Sequence, residues 1–187
     1  MRMATSVKKQ SPAGKFSIDV KKIRAKARQN TDNGPVTETY GADLPTVLRL
    51  LNESLATELI CVLRYKRHQY MASGIHSEPV ATEFATHAAE EQQHADLIAA
   101  RIIELGGEPD FSPQGLTARS HSEYVEGKDL RDMIKENLVA ERIAVDSYRQ
   151  FVTYLGDRDP TTRRMIEGIL AMEEEHAHDM ADLLEKG

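Results

Sequence analysis

Residues 90–107 read EEQQHADLIAARIIELGG, and this stretch decides the fold. It closes a helical pattern that opens near Ser77, a good N-cap, and stops at Leu105 before Gly106-Gly107. Glu91 and His94 interrupt its core stripe at positions where apolar side chains are expected. Spaced i and i+3, they project together from one face.

Three further helical patterns lie on either side. One is expected from about Asp43 to Ser73, with Leu44, Leu48, Leu51, Leu55, Val62 and Tyr65 in its stripe and Gly74 as its stop. A third is expected from about Lys128 to Leu155, its stripe carrying Leu130, Ile134, Leu138, Val145, Tyr148 and Val152. The fourth opens at Asp159-Pro160, a cap followed by the favoured first-turn proline, and runs nearly to the end of the chain. No segment alternates like a strand. The expectation is an all-α domain over 43–187, preceded by an extension over 1–42 that carries a short basic helix at 18–30, broken by Asn33-Gly34-Pro35.

The connections arrange the helices. Gly74–Ser77 and Gly156–Asp159 are tight, so the first and second helices are antiparallel neighbours, as are the third and fourth. Residues 106–127 form a long irregular loop rich in glycine and proline. It could extend to roughly 70 Å, more than the roughly 42 Å of a 28-residue helix. It can therefore cross the whole bundle and set the two helical hairpins head to tail.

Ionisable residues interrupt every stripe: Glu58 in the first helix, Glu91 and His94 in the second, Glu141 in the third, Glu173 and His176 in the fourth. One pattern thus occurs twice, a Glu followed by Glu-x-x-His on the next helix, with Glu-to-Glu separations of 33 and 32 residues. Each set lies roughly 21–24 Å from its own turn, so head-to-tail hairpins bring all six side chains to mid-bundle. Glu175 and His178 make a third copy of Glu-x-x-His, about 200° round the helix from the second. The stripe Met165, Ile169, Met172, His176, Met180 contains His176 and excludes His178.

Four carboxylates in an apolar core would repel and resist ionisation. Two divalent cations balance them. The carboxylate and imidazole set suits iron, with manganese or zinc as substitutes, and leaves coordination positions open for oxygen species.

The net charge of −6 conceals an asymmetry. Residues 1–30 hold nine Lys/Arg against one acid, Asp19, so the remainder carries 15 basic and 29 acidic residues, a net of −14. A cationic arm on an acidic body points to two kinds of partner. Lys21, Lys22, Arg24, Lys26 and Arg28 are the candidate phosphate contacts for non-specific DNA binding. A solubilising or shell-packing tail accounts for them equally well. Glu90, Glu167, Glu174, Asp179 and Asp182 supply either a face that draws cations or an ordinary solvated one.

One cysteine, Cys61, excludes an intramolecular disulfide framework and a four-cysteine metal site. The start of the chain has no apolar run, and no stretch is long enough to span a bilayer. A cytoplasmic protein with no membrane partner is expected.

LNESLATELICVLRY (51–65), EEQQHADLIAARIIELGG (90–107), ENLVAERIAVDSYRQ (136–150) and MEEEHAHDM (172–180) resemble the four bundle helices of the bacterioferritin and Dps-like (miniferritin) branch of the ferritin-like superfamily. The resemblance covers about 44–185 and carries the known pairing of Glu and Glu-x-x-His in that fold. It implies a ferroxidase centre of two iron ions, with Glu58, Glu141, His94 and His176 as terminal ligands and Glu91 and Glu173 as bridges. Fe(II) would be oxidised by O₂ or H₂O₂ and Fe(III) stored in an oligomeric shell. A peroxide-degrading di-manganese catalase and a DNA-binding stress-protection protein are the alternative functions. Tyr65 stands where bacterioferritins keep a tyrosine near the metals, or is simply a core aromatic; His87, one turn before Glu91, supports the ligands or ferries iron.

Two departures shape the expectation further. Haem-binding bacterioferritins place Met directly after the second-helix Glu, whereas Gln92 stands here, which argues against haem. Only 11 residues follow His176, too few for the fifth helix of 24-subunit ferritins, so a twelve-subunit homo-oligomer is expected.

Overall fold

The computed structural model of the chain describes residues 17–75 and 77–186. Among them are six α-helices and no strand: α1 Val20–Lys26, α2 Leu44–Met71, α3 Ser77–Glu104, α4 Leu116–Arg119, α5 Leu130–Leu155 and α6 Pro160–Lys186. None of the helices among the described residues is long and apolar enough to cross a membrane.

Contacts divide the chain into two units, Met1–Asp32 and Asn33–Gly187. In the first, the helix expected over 18–30 is only the seven residues of α1, capped by the Asp19 carboxylate, which accepts from the Lys22 amide at 3.0 Å. Beyond it Asn30 adopts a φ of 52°, a left-handed conformation that no helix continues through. Lys21, Lys22, Arg24 and Arg28 are exposed and Lys26 is half-buried. The remaining basic residues of the arm, Arg2, Lys8, Lys9 and Lys15, lie outside the described residues.

In the second unit, side-chain caps set where α2, α5 and α6 start. Asp43 accepts from the Thr46 amide at 3.2 Å to open α2, Asp129 from the Asp132 amide at 2.9 Å to open α5, and Asp159 from the Thr162 amide at 3.0 Å to open α6. Ser77, expected as a cap, is instead the first residue of α3; its hydroxyl donates to the Gly74 carbonyl at 2.8 Å, closing the turn. Helices α2 and α3 form one hairpin and α5 and α6 the other, and α2 also packs on α5 and α3 on α6. The segment ahead of α2 belongs to this body as well. Val36, Tyr40 and Ala42 pack on its core, and the Tyr40 hydroxyl donates to Asp159 at 2.9 Å.

The 106–127 connection climbs the length of α2. Asn52 bonds the Glu108 carbonyl and the Asp110 amide, Thr57 accepts from the His121 amide at 2.9 Å, and Arg67 donates to the Glu126 carbonyl at 2.8 Å. Its course delivers α5 to the far end of the bundle, antiparallel to α2. The segment is less irregular than expected, because it contains α4, entered through Gly115 at a φ of 75°. Arg64 is buried beneath it and donates to Ser122 Oγ at 3.0 Å, the Glu123 carbonyl at 3.1 Å and Asn137 Oδ1 at 2.9 Å.

Two apolar clusters fill the interior. One contains Leu51, Leu55, Ile98, Ile102, Phe151, Leu155 and Ile166; the other contains Tyr65, Phe84, Met133, Ile134 and Met180. Each fully buried side chain of this size contributes about 1.5–3 kcal/mol. On every long helix the ionisable residues fall between the two clusters, so the apolar layers on both sides hold a charged layer away from water.

Candidate metal centre

Glu58 of α2, Glu91 and His94 of α3, Glu141 of α5, and Glu173 and His176 of α6 all meet in that layer, none more than 5% exposed. They form two overlapping groups, Glu58/Glu91/His94/Glu173 and Glu91/Glu141/Glu173/His176. Within each group, one candidate ligand atom per residue lies within 4.8 Å of all the others. Glu91 and Glu173 belong to both. By contrast Glu175 and His178 are exposed on the outer face of α6, with the His178 side chain 73% accessible.

Both imidazoles aim Nδ1 at the centre. His94 Nδ1 lies 3.3 Å from Glu58 Oε2, 3.4 Å from Glu91 Oε2 and 2.9 Å from Glu173 Oε1. His176 Nδ1 lies 3.6 Å from Glu91 Oε1, while its Nε2 meets Glu90 Oε2 at 3.0 Å. A carboxylate on Nε2–H keeps the Nδ1 lone pair free for a cation and fixes the ring's orientation.

The donor set fits divalent ions on two grounds. Glu58 Oε2, Glu91 Oε1, Glu141 Oε2, Glu173 Oε2 and His176 Nδ1 are buried without a hydrogen-bond partner, which is costly unless something else coordinates them. The opposite carboxylate oxygens of Glu58 and Glu141 are held: Tyr148 Oη donates to Glu58 Oε1 and Tyr65 Oη to Glu141 Oε1. Each of these two carboxylates is thereby oriented with one oxygen tied and one free.

Proton affinities reflect the crowding. Burial, reinforced by the Glu91 charge, pushes Glu58 and Glu173 well above the usual carboxylate range, and Glu141 also rises, mainly through burial. Burial opposes ionisation of Glu91 too, yet the neighbouring imidazoles of His176 and His94 hold it below its ordinary value. Burial disfavours a charged His94, but the carboxylates of Glu173, Glu58 and Glu91 outweigh it and push the ring up to about 12. His176 rises to about 8 against burial, chiefly through Glu91.

The Ferritin-like domain family model matches residues 48–187, three-quarters of the chain. The chain belongs to the ferritin-like family. Among its relatives, a bacterioferritin of Mycobacterium avium is 30% identical over 142 residues, 75% of this chain and 85% of that protein. A DNA protection during starvation protein of Pyrococcus furiosus is 29% identical over 155 residues, 81% of this chain and 84% of that one. Among solved structures, a dodecameric thioferritin, the bacterioferritin-related protein of Bacteroides fragilis, superposes with a TM-score of 0.75 at 32% identity, covering 78% of this chain and 88% of that chain. Dps from Thermosynechococcus elongatus shares the fold, with a TM-score of 0.73 at 19% identity over 76% of this chain and 92% of that one.

Within this ferritin-like centre the structure also brings in residues that sequence reasoning gave lesser parts. Tyr148 belongs by periodicity only to an apolar stripe, although it follows Glu141 by the seven residues that separate Tyr65 from Glu58. Glu90, read as part of a charged face, is the partner of His176. Cys61 is buried and lies 3.3 Å from Arg64, whose guanidinium no local pattern marks as internal. Gln92 is exposed and donates to Asp96 at 2.9 Å.

Proposed function

We propose that this chain is a ferroxidase that detoxifies and stores iron. The observation that carries the reading is the pair of four-residue groups sharing Glu91 and Glu173. Two Fe(II) ions enter as substrate, one held by Glu58 and His94, the other by Glu141 and His176, with Glu91 and Glu173 touching both. Four carboxylates balance the two divalent charges. The bound ions supply the redox chemistry, giving one electron each to O₂ or H₂O₂. The protein's part is to hold the pair close and to exclude bulk water between two apolar layers. Tyr65 and Tyr148 orient the terminal carboxylates, and Glu90 orients His176.

Metal analysis with stopped-flow Fe(II) oxidation under O₂ and under H₂O₂ tests this reading. Glu91→Ala and Glu173→Ala should each abolish rapid oxidation while the fold persists, since removing a carboxylate relieves repulsion in the metal-free core. Parent-like rates in both variants would sink the proposed centre. Manganese recovered in place of iron, with peroxide degradation, would favour the catalase alternative.

A closed homo-oligomeric shell of twelve copies is the assembly that best serves storage, because ferric iron at neutral pH must be enclosed to stay in solution. The dodecameric relative at 32% identity supports this count, and closed symmetry is the usual outcome for homo-oligomers. Twelve copies of a 21.0 kDa chain would sediment at about 250 kDa. A lone dimer or a 24-mer in the ultracentrifuge would overturn the count.

The exposed cations of α1 support a second role for the arm in non-specific DNA binding through phosphates.

A further inference from the structure

One turn outside the inner layer, His87 reaches toward the surface between two acids of different helices. Its Nε2 lies 3.3 Å from Glu83 Oε1 on the same helix and 3.6 Å from Asp179 Oδ2 on α6. These are too long for charge-assisted hydrogen bonds, which run about 2.7–2.9 Å. They match the edge of a tetrahedral metal site, where ligand atoms each about 2.1 Å from the ion stand about 3.4 Å apart.

The other ring nitrogen explains why Nε2 faces the acids. Tyr65 Oη gives its only proton to Glu141 Oε1, so toward His87 Nδ1, 3.1 Å away, it can only accept. Nδ1 therefore carries the ring proton, and the Nε2 lone pair points at two carboxylate oxygens. Three lone-pair donors from Glu83, His87 and Asp179 converge with their atoms within 4.8 Å of one another.

We propose that Glu83, His87 and Asp179 form a third divalent-cation site, which takes up Fe(II) at the bundle surface and passes it inward by way of Glu90 and His176. Accessibility grades along this line. The Glu83 and Asp179 side chains are 37% and 38% exposed, and His87 only 2%. The next group, His87, Glu90 and His176, again has its ligand atoms within 4.8 Å, and the two rings stack at 4.0 Å. Each step inward shares a ligand with the one before it: His87 first, then His176. Delivery, unlike the outer site itself, rests on the ferroxidase reading.

Calorimetric titration with redox-inert Zn²⁺ counts the sites without relying on turnover. The parent should take up three tight equivalents per chain, and the double variant Glu83→Gln, Asp179→Asn should take up two. Both residues are half-exposed, so matching thermal melts should show the fold intact. The inner double variant Glu91→Gln, Glu173→Gln should lose the inner equivalents and keep the outer one. Equal Zn²⁺ counts in the parent and the outer variant would overturn the third site. An outer equivalent present in a parent that shows no inner ones would uphold this site and sink the ferroxidase reading instead. In stopped flow at Fe(II) below the concentration of inner sites, losing two focusing carboxylates should slow oxidation about tenfold without changing its final extent. An unchanged rate in a variant that has lost the outer equivalent would overturn delivery.

Discussion

The Tyr148 hydroxyl of α5 donates to Glu58 of α2, on the opposite hairpin and 90 residues away in the chain. The reciprocal bond, from Tyr65 of α2 to Glu141 of α5, spans 76 residues at 2.5 Å. Each tyrosine follows its own helix's glutamate by seven residues, two turns, and serves the glutamate of the other hairpin. The internal repeat thus has a physical consequence. Two hairpins set head to tail lend each other the hydroxyl that fixes a buried glutamate.

Replacing either tyrosine by Phe keeps the ring in its packing and removes only the donor. Tyr148→Phe and Tyr65→Phe should each lower metal affinity by roughly 10–100-fold, the usual effect of deleting a group that orients a ligand. The metal-free protein should lose about 1–3 kcal/mol, since a buried carboxyl oxygen is left unpaired. Zn²⁺ titration and urea melts measure both. Parent-like affinity in the two variants would leave the tyrosines as core aromatics only.

Metal uptake should release protons. His94 is pushed up to about 12 and His176 to about 8, and Glu58, Glu141 and Glu173 are raised as well, so the folded metal-free chain holds protons that cations must displace. The sign follows from the direction of these shifts. Groups bound more tightly to protons when folded lose their stabilising contribution as pH rises. For the raised glutamates the loss begins above about 4.5, and for His176 it falls between 6.5 and about 8. Glu91, lowered, loses its contribution only below its ordinary value. The metal-free melting temperature should therefore fall from pH 6.5 to pH 8, above the range in which the lowered His87 and His68 titrate, while the increment added by Zn²⁺ grows. Zn²⁺ heats measured in two buffers of different ionisation enthalpy count the protons, and no buffer dependence at pH 7 would contradict the prediction.

The two overlapping Glu-x-x-His copies in α6 make opposite predictions for single changes. His176→Ala should lose rapid Fe(II) oxidation, because His176 is buried at the centre. His178→Ala should keep the parent rate, because its side chain is 73% exposed. The reverse result would put the working ligands on the other face of the helix.

Deleting residues 1–30 should move the net charge from −6 to −14 without touching the inner layer. The intact protein should retard DNA at low salt and release it as salt rises, and the truncated one should not bind. Intact protein that fails to shift DNA even at low ionic strength would leave the arm a structural or solubilising element.

Helix type, the order of the helices and the residues that interrupt each stripe are local properties, and they were legible in the sequence. A 3.6-residue period needs no knowledge of neighbours. Asp43, Asp129 and Asp159 cap by bonding amides three residues on, and Glu91 shares a face with His94 through spacing alone. The all-α bundle with a long crossover therefore follows from patterns within single segments and from the length of the loop. What only the tertiary structure decided is which side chains face each other across helices. Sharing of Glu91 and Glu173 between two groups, the exchange of Tyr65 and Tyr148 between hairpins, and the meeting of His87 with Asp179 depend on helix rotation and axial shift. Close packing of the two apolar layers sets those rotations and shifts. Arg64 shows the same limit. Its place in the sequence is that of any helical arginine, and it is internal because the crossover folds down over α2 and offers it Ser122, the Glu123 carbonyl and, from α5, Asn137.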